Sequence, residues 1–275
     1  MDVAEPSLLE IVVPAYNEAA RLPDGLARLS AALDALPFPT GVIVVDNASD
    51  DGTPDIVRGW TGPVPVRLVG CARRGKGAAV REGLLATRAP YVGFCDADMA
   101  TGLAALKTAV GLLHAGHPVV VGSRRHPQSR VEDYSHPLRK FGAVTFNLLI
   151  RDLAGGVTDT QCGFKFFAGP LARAAAAELR TTGFAFDVEL LMHCARRGAA
   201  ITDLPVEWRD VPGTTFSVRR HSFSCLRDLA RIRFNAAREL SRPGAAAEWP
   251  VTSALPALPV APAFPVTETS RSGPG

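Results

Sequence analysis

The chain has 275 residues, of which 47% are hydrophobic and 21% are charged, and its formal net charge is +3 at pH 7. This composition is typical of a globular protein and excludes a disordered or fibrous chain. The small net charge gives no support for a nucleic-acid partner, and no run of about 20 apolar residues predicts a membrane-spanning helix.

The cysteines and the N-terminus bear on the cellular compartment. The five cysteines form no CxxC pair and are odd in number, which argues against a zinc ribbon and against a disulfide framework. Residues 1–6 contain acids and are not a basic region followed by an apolar stretch, so a signal peptide is not expected. We therefore expect a cytoplasmic protein, with peripheral contact to the inner face of the membrane as its only membrane association.

Short β-branched runs alternate with longer amphipathic segments over the first 125 residues. This alternation predicts an α/β fold with a Rossmann-like, mostly parallel sheet flanked by helices. The predicted strands are Leu8–Pro14, Gly41–Asp46, Val66–Gly70, Tyr91–Asp96 and Pro118–Ser123, and the predicted helices between them include Asp24–Leu36, Lys76–Arg88 and Leu103–Ala115.

The alternation weakens after residue 124. The remaining predicted elements are a polar connection His126–His136, a helix at Leu138–Leu153, a strand at Cys162–Ala168, helices at Pro170–Leu179 and Phe186–Arg197, a strand at Ala200–Trp208 and an arginine-rich helix at Ser222–Leu240. From Arg242 onward proline, alanine, serine and threonine dominate without periodicity. We expect one domain over 8–240, with halves at 8–124 and 125–240, and a disordered tail at 241–275.

Asp96 and Asp98 follow a predicted strand, at the edge where parallel sheets bind ligands. Two carboxylates at positions i and i+2 of a bend can bind one divalent cation and leave coordination sites for phosphate oxygens. The alternative for this pair alone is two solvated loop acids.

The segment Gly70–Lys76 lies between a predicted strand and a predicted helix and nearly matches the phosphate-binding P-loop. Gly77 stands where that pattern has the serine or threonine that binds magnesium, so the P-loop interpretation fails. Lys76 at a helix N-terminus remains suited to bind an anion, and the alternative is a solvated lysine in a glycine turn.

Four segments in this order and spacing resemble the motifs of family 2 glycosyltransferases with the GT-A fold: Val12–Glu18, Val44–Thr53, Gly75–Gly77 and Asp96–Asp98. Further segments resemble those of dolichyl-phosphate and other polyprenyl-phosphate β-glucosyltransferases: Asp96–Thr101, Gly122–Arg124, Asp159–Lys165 and Phe186–Leu191. The resemblance covers about residues 8 to 240.

The resemblance implies a nucleotide-sugar donor bound by the half at 8–124. It assigns the nucleoside contacts to Pro14, Tyr16, Glu18 and Asp46, with Lys76 nearby, and it assigns the sugar diphosphate to Asp96 and Asp98 through Mg²⁺ or Mn²⁺. Asn47 departs from the family pattern, in which many members have a second aspartate here.

The resemblance also implies that the half at 125–240 faces the acceptor. Arg124 and Arg139 match positions that face the acceptor phosphate, which suits the guanidinium fork, although either arginine could instead form an ordinary ion pair. Asp98, Asp159 and Asp187 are the candidate catalytic carboxylates, and the alternative for Asp159 and Asp187 is that either acid only orients Lys165 or an arginine.

The function expected from these motifs is inverting transfer of a hexose, glucose from UDP-glucose, to a polyprenyl phosphate. One alternative keeps the donor and replaces the lipid by a soluble hydroxyl acceptor such as a secondary metabolite, since the membrane helix of the eukaryotic dolichol enzymes is missing here. A second alternative is a non-catalytic module that binds nucleotide sugars.

Residues 219–240 are the expected site of peripheral membrane contact. The arginines of this segment could face anionic lipid while apolar residues dip toward it, namely Phe223, Leu226, Leu229, Ile232 and Phe234. The alternative is a helix packed on the domain with a solvated basic face.

Overall fold

A computed structural model of the chain describes residues 6–132, 153–211 and 218–240, and the side chains of the last segment over 225–237. The elements, in chain order, are β1 (Leu9–Ala15), α1 (Leu22–Asp34), β2 (Thr40–Asp46), α2 (Thr53–Arg58), β3 (Val66–Gly70), α3 (Lys76–Ala86), β4 (Tyr91–Cys95), α4 (Ala105–His114), β5 (Val119–Ser123), β6 (Arg130–Glu132), β7 (Phe164–Ala168), α5 (Gly169–Glu178), α6 (Phe186–Arg196), β8 (Ile201–Pro205), β9 (Glu207–Arg209) and α7 (Val218–Leu240).

Seven strands form one mostly parallel sheet in the order β3-β2-β1-β4-β7-β5-β8. The pairs of β1 with β2 and β4, of β2 with β3 and of β5 with β8 are parallel. The strand β7 runs antiparallel between β4 and β5. The predicted α/β fold with a mostly parallel sheet is confirmed, and the reversed β7 was not predicted.

Helices cover both faces of the sheet because its strands are apolar on both sides. Successive side chains of a strand point to opposite faces, so Ile11 of β1 packs in the cluster that contains α1 and α4, while Val12 packs in the cluster that contains α3, α5 and α6. Both side chains are fully buried. This two-sided burial is typical of a parallel sheet covered by crossover helices.

The second half differs from the prediction at two short strands. The predicted strand Ala200–Trp208 divides into β8 and β9 at Val206, whose carbonyl accepts a hydrogen bond from the Arg130 backbone N–H (3.0 Å). The strand β9 then pairs with β6, which lies inside the connection predicted at 126–136. The predicted helix at 138–153 and the tail from 242 lie outside the described residues, apart from Leu153.

The last helix, α7, packs on α6. Leu229 and Ile232 are buried against Val188 and Met192, so the prediction that both side chains dip toward lipid is wrong: the apolar face of α7 that carries them covers the domain. Among the described residues, no helix is both long enough and apolar enough to cross a bilayer.

Candidate active site

The loops after β1, β2 and β4 meet at one edge of the sheet because these three strands are parallel neighbours. Each loop contains one non-glycine residue with positive φ: Asn17 (53°), Ala48 (58°) and Met99 (47°). Such backbone costs on the order of 1–3 kcal/mol per residue, and it clusters at functional sites. The edge predicted from the sequence is therefore also where the described backbone carries local strain.

Hydrogen bonds join the first two loops. Asn17 donates its backbone N–H to Ser49 Oγ (3.0 Å) and its amide to Asp50 Oδ1 (2.6 Å), while the Glu18 N–H donates to Thr53 Oγ1 (2.9 Å). Several polar residues of the two motifs thus have a structural role, which is to fix one loop against the other.

The residues expected to contact the nucleoside lie on these two loops. Ala15 and Asp46 are partners in the register of β1 with β2, and Pro14 and Tyr16 flank Ala15 in the chain. Tyr16 is 39% exposed, and the Arg74 guanidinium lies 6.0 Å from the centre of its ring. The structure therefore brings the strand ends that carry this set together.

Glu18, one of the expected nucleoside contacts, lies near the acidic pair. Both of its carboxylate oxygens accept hydrogen bonds from Arg21 (2.8 and 2.6 Å). Burial raises the pKa of Glu18 above its ordinary value in spite of Arg21, and the charges of Asp98 and Asp96 raise it further. The sequence analysis missed Arg21, whose signal is the opposite charge three residues after Glu18 near a helix start.

Asp96 and Asp98 follow β4 at the same edge. The Asp96 N–H donates to the Gly163 carbonyl (3.1 Å), and a Cβ at residue 163 would collide with the Asp96 carboxylate. Asp98 accepts the Ala100 N–H (3.1 Å). Gly163 therefore gives the Asp96 carboxylate the space it occupies beside the start of β7.

The chemistry of this pair fits a hard divalent cation. Burial and the neighbouring Asp96 charge raise the pKa of Asp98, and a cation between the two carboxylates would relieve that repulsion. Carboxylate oxygens are the ligands that Mg²⁺ uses, and it commonly takes one or two of them together with substrate phosphates. The described residues contain no cluster of three or more acidic, histidine or cysteine ligands, so a metal here would take its remaining ligands from elsewhere, such as the phosphates.

Lys76 lies beside the acidic pair at the start of α3. Its Nζ is 2.6 Å from Asp96 Oδ1. Burial lowers the pKa of Lys76, but the carboxylates of Asp96 and Asp187 outweigh burial and raise it above the ordinary value. The N–H groups of Gly77 and Ala78 donate to the Thr182 carbonyl (2.8 and 3.3 Å), so the anion site expected at this helix end is limited to the lysine side chain.

Arg124, after β5, forms a bidentate ion pair with Asp159. Its Nε and Nη2 donate to the two carboxylate oxygens (2.7 and 2.9 Å), and its backbone N–H donates to Asp159 Oδ2 (3.1 Å). Asp159 is buried, and although burial raises its pKa, the bonds from Arg124 outweigh burial and lower it. The guanidinium also lies 5.6 Å from the centre of the Trp208 ring.

Asp187, on α6, forms a second ion pair inside the domain. Its Oδ1 accepts a hydrogen bond from Lys165 Nζ (2.6 Å), which also donates to the Cys162 carbonyl (2.6 Å). Lys165 is fully buried and lies 4.9 Å from the centre of the Phe94 ring. Burial raises the pKa of Asp187, against the attraction of Lys165. Arg139, the second arginine of the acceptor set, lies outside the described residues.

Two further polar residues, which were not predicted to have a role, bind the loops beside the site. Asn47 makes three hydrogen bonds to the loop before α3, and Glu189 accepts backbone hydrogen bonds from the loop before α6. The only sequence signals were the departure of Asn47 from the family pattern and the presence of Glu189 within the segment Phe186–Leu191.

The chain is similar to known glycosyltransferases in sequence and in structure. The model of "Glycosyl transferase family 2" matches residues 10–173. A dolichyl-phosphate beta-glucosyltransferase of Dictyostelium discoideum is 32% identical over 82% of this chain and 74% of that protein. The dolichyl-phosphate beta-glucosyltransferase of Homo sapiens is 32% identical over 75% of this chain and 68% of that protein.

A crystal structure of glucosyl-3-phosphoglycerate synthase from Mycobacterium tuberculosis, in complex with Mn²⁺, uridine diphosphate and phosphoglyceric acid, superposes with a TM-score of 0.61 at 19% identity, over 87% of this chain and 80% of that one. This likeness concerns the fold, which is the GT-A fold. Together with the family match and the identity to the curated relatives, it leads to one conclusion: the chain belongs to glycosyl transferase family 2, and it is a glycosyltransferase.

Proposed function

We propose that the chain is a metal-dependent, inverting glucosyltransferase that moves glucose from UDP-glucose to a polyprenyl phosphate of the dolichyl type. The names of the relatives from Dictyostelium discoideum and Homo sapiens support this acceptor class. The observation that carries the proposal is the arrangement of carboxylates: Asp96 and Asp98 are neighbours at the sheet edge with Lys76 beside Asp96, whereas Asp159 and Asp187 are single carboxylates, each in an ion pair with one basic side chain.

The donor side of the proposal uses the sheet edge. Asp96 and Asp98 would bind Mg²⁺ or Mn²⁺, and the structural neighbour that contains Mn²⁺ together with uridine diphosphate supports this assignment. The bound ion would neutralise charge that develops on the departing diphosphate. The Lys76 ammonium, 2.6 Å from Asp96, would add positive charge beside the same group. Pro14, Tyr16, Glu18 and Asp46 are the proposed nucleoside contacts.

The acceptor side is argued from proton chemistry. A hydroxyl acceptor loses a proton as it attacks and therefore needs a general base, whereas a phosphate acceptor is already anionic near neutral pH. Asp159 is bound by Arg124 with a lowered pKa, and Asp187, whose pKa is raised by burial, is held in an ion pair by the buried Lys165. Neither is placed as a free base, which favours a phosphate acceptor. Arg124 and Arg139 are its proposed contacts.

Residues 8–240 are the proposed catalytic unit, with the donor half at 8–124 and the acceptor half at 125–240. The described part of this range forms the seven-stranded sheet, the helices that cover it and the short pair of β6 with β9. Peripheral contact with the inner face of the membrane, through α7, would bring the enzyme to a lipid acceptor.

A panel of donors and acceptors tests the proposal. The purified full chain is incubated with Mn²⁺ and radiolabelled UDP-glucose, UDP-galactose or GDP-mannose, each with polyprenyl phosphate, 3-phosphoglycerate or a soluble alcohol. We expect label in the organic phase for UDP-glucose with polyprenyl phosphate, as a β-linked phosphosugar. Label in a water-soluble product, or a clear preference for another sugar, would contradict the proposed acceptor or the proposed donor.

The variant Asp187→Asn tests the acceptor class separately. We expect kcat to fall by less than about tenfold, with no base-like limb in the pH profile, because general-base removal costs about 10²–10⁴-fold. Since the variant weakens the partner of the buried Lys165, its Tm is measured beside that of Glu178→Gln, a half-exposed carboxylate in an ion pair with Arg197. A loss of about a thousandfold, with an acidic limb that disappears in the variant, would indicate a hydroxyl acceptor.

A further inference from the structure

The turn Gly75–Gly77, which carries Lys76, is enclosed by two loops. Gly75 has a φ of +125°, and a Cβ at this position would collide with the Thr182 carbonyl. A Cβ at residue 77 would lie 2.5 Å from Phe186 Cβ and 2.6 Å from the Thr181 carbonyl oxygen. The turn is therefore in close backbone contact with the loop 180–183, and a shift of that loop would shift Lys76.

Asn47 fixes the turn from the other side. Its Nδ2 donates to the carbonyls of Cys71 (3.1 Å) and Arg73 (2.8 Å), while its Oδ1 accepts the Gly75 N–H (2.7 Å). The side chain is buried. A carboxamide supplies donor and acceptor at once, whereas an ionised aspartate could accept from Gly75 but would turn an oxygen toward the two carbonyls.

Glu189 fixes the loop 180–183. Its carboxylate accepts the Thr181 N–H (2.7 Å) and the Arg180 N–H (3.2 Å), and the residue is buried at 4% exposure. Thr182 is the next residue in that loop. Its carbonyl oxygen accepts hydrogen bonds from the N–H groups of Gly77 and Ala78 in the first turn of α3. The carboxylate of Glu189 is thus connected, through one loop, to the helix start that carries Lys76.

We propose that Asn47 and Glu189 are positioning residues for Lys76. Asn47 fixes the loop 71–75 and Glu189 fixes the loop 180–183, and together they keep the Lys76 ammonium in contact with Asp96, at 2.6 Å. This inference rests on the proposed role of Lys76 beside the donor diphosphate. Displacement of a positioned group by about 1 Å can lower a rate by about a hundredfold, so the two residues would set donor turnover without contacting the donor.

A double-mutant cycle tests whether Asn47 acts through Lys76. We expect Asn47→Ala to lower kcat/KM for UDP-glucose about 10- to 100-fold, and Lys76→Ala to lower it at least as much. The double variant should lose less than about threefold beyond Lys76→Ala, because coupled residues are not additive. Losses that multiply in the double variant would overturn the proposal.

Glu189 supplies an independent pair of variants. Glu189→Ala should lower kcat/KM about 10- to 100-fold, while Glu189→Gln should stay within about threefold of the native value because its amide oxygen can still accept the Thr181 N–H. The matched control is Glu178→Gln, since Glu178 and Glu189 contact the two ring nitrogens of His193. Equal losses in Glu189→Gln and Glu189→Ala, or in the control, would contradict a role through the loop.

Hydrogen exchange separates this inference from the proposed function, because it needs no substrate. We expect the amides of Gly75, Gly77 and Ala78 to exchange faster in Asn47→Ala and Glu189→Ala than in the native chain, and at the native rate in Glu178→Gln. Unchanged exchange would overturn the positioning role even if turnover fell. A native chain that turns over no UDP-sugar would refute the proposed function, whereas faster exchange in the variants would still support control of the turn.

Discussion

At the scale of single residues, the ion pair of Arg124 with Asp159 links the stability of the fold to the proposed acceptor contact. Asp159 is 1% exposed and accepts three hydrogen bonds from Arg124, two from the guanidinium and one from the backbone. The sequence predicted a phosphate contact for the arginine and a catalytic role for the acid. Their pairing means that a substitution at either position has a structural consequence that must be measured beside the kinetic one.

Removal of the guanidinium should destabilise the fold. We expect Arg124→Ala to lower the free energy of unfolding at pH 7 by about 3–5 kcal/mol, because it leaves a buried carboxylate unpaired. The exposed pair of Arg58 with Asp55 is the control, and Arg58→Ala should cost less than about 1 kcal/mol. Urea unfolding measures both values, and similar costs for the two variants would contradict this account.

The same comparison has a defined pH dependence. The folded-state pKa of Asp159 is lowered, so its stabilisation is present above the ordinary carboxyl pKa of about 4 and is lost as the pH falls through the lower folded value. The difference in unfolding free energy between the native chain and Arg124→Ala should therefore shrink at acid pH. A difference that is constant from pH 7 to acid pH would contradict the assigned pair.

Arg124 should also affect the acceptor selectively. Among folded Arg124→Ala molecules we expect the KM for polyprenyl phosphate to rise, or kcat to fall, by about 10- to 150-fold, because a hydrogen bond to a charged group contributes about 1.5–3 kcal/mol. UDP-glucose binding should remain nearly native by titration calorimetry. Equal losses for donor and acceptor would assign Arg124 to the framework or to the donor site.

At the scale of elements, α7 shows two faces with different roles. Leu229, Ile232 and Ala236 pack on the domain, whereas Leu226 and Phe234 are 53% and 61% exposed. Eight residues apart on an α-helix, these two side chains are separated by about 80° around the axis and share one side. Exposed arginines accompany them at Arg227, Arg231 and Arg233.

The exposed face of α7 should bind anionic membranes. We expect Phe234→Ser to weaken binding to phosphatidylserine vesicles by about 10- to 150-fold, because burial of one large apolar side chain contributes about 1.5–3 kcal/mol of binding free energy. Arg231→Ser should weaken it about fivefold, since one basic residue near such a surface contributes about 1 kcal/mol. Vesicle sedimentation measures both, with Arg58→Ser as the exposed control. Equal binding of all three variants and the native chain would contradict this role.

At the scale of the whole molecule, the sequence predicted the strands and helices of residues 8–124 well because their signals are local. The buried strands and the acidic residues at their ends, such as Asp46 and Asp96, are contiguous in the chain. The direction of β7 was not predictable, because a fully buried run such as Phe164–Ala168 has the same apolar pattern in either direction.

Contacts between residues that are distant in the chain could not be predicted from the sequence either. Arg124 and Asp159 are 35 residues apart and Lys165 and Asp187 are 22 apart, so neither pair has a local signature. The hydrogen-bond partners of the Asn47 amide lie in the loop before α3, which is distant in the chain and comes close to Asn47 only in the folded protein. These long-range contacts decide which carboxylates are free to act, and they required the folded chain.

Transfer by this chain should depend on a divalent metal ion bound by Asp96 and Asp98. Radiolabelled UDP-glucose and polyprenyl phosphate are incubated with the native chain and with Asp98→Asn, first in excess chelator and then after addition of Mn²⁺, with Asp24→Asn, an exposed acid of α1, as the control. The account predicts no label in the organic phase in chelator, recovery with Mn²⁺ in the native chain and the control, and no recovery in Asp98→Asn. Undiminished transfer in excess chelator would contradict it.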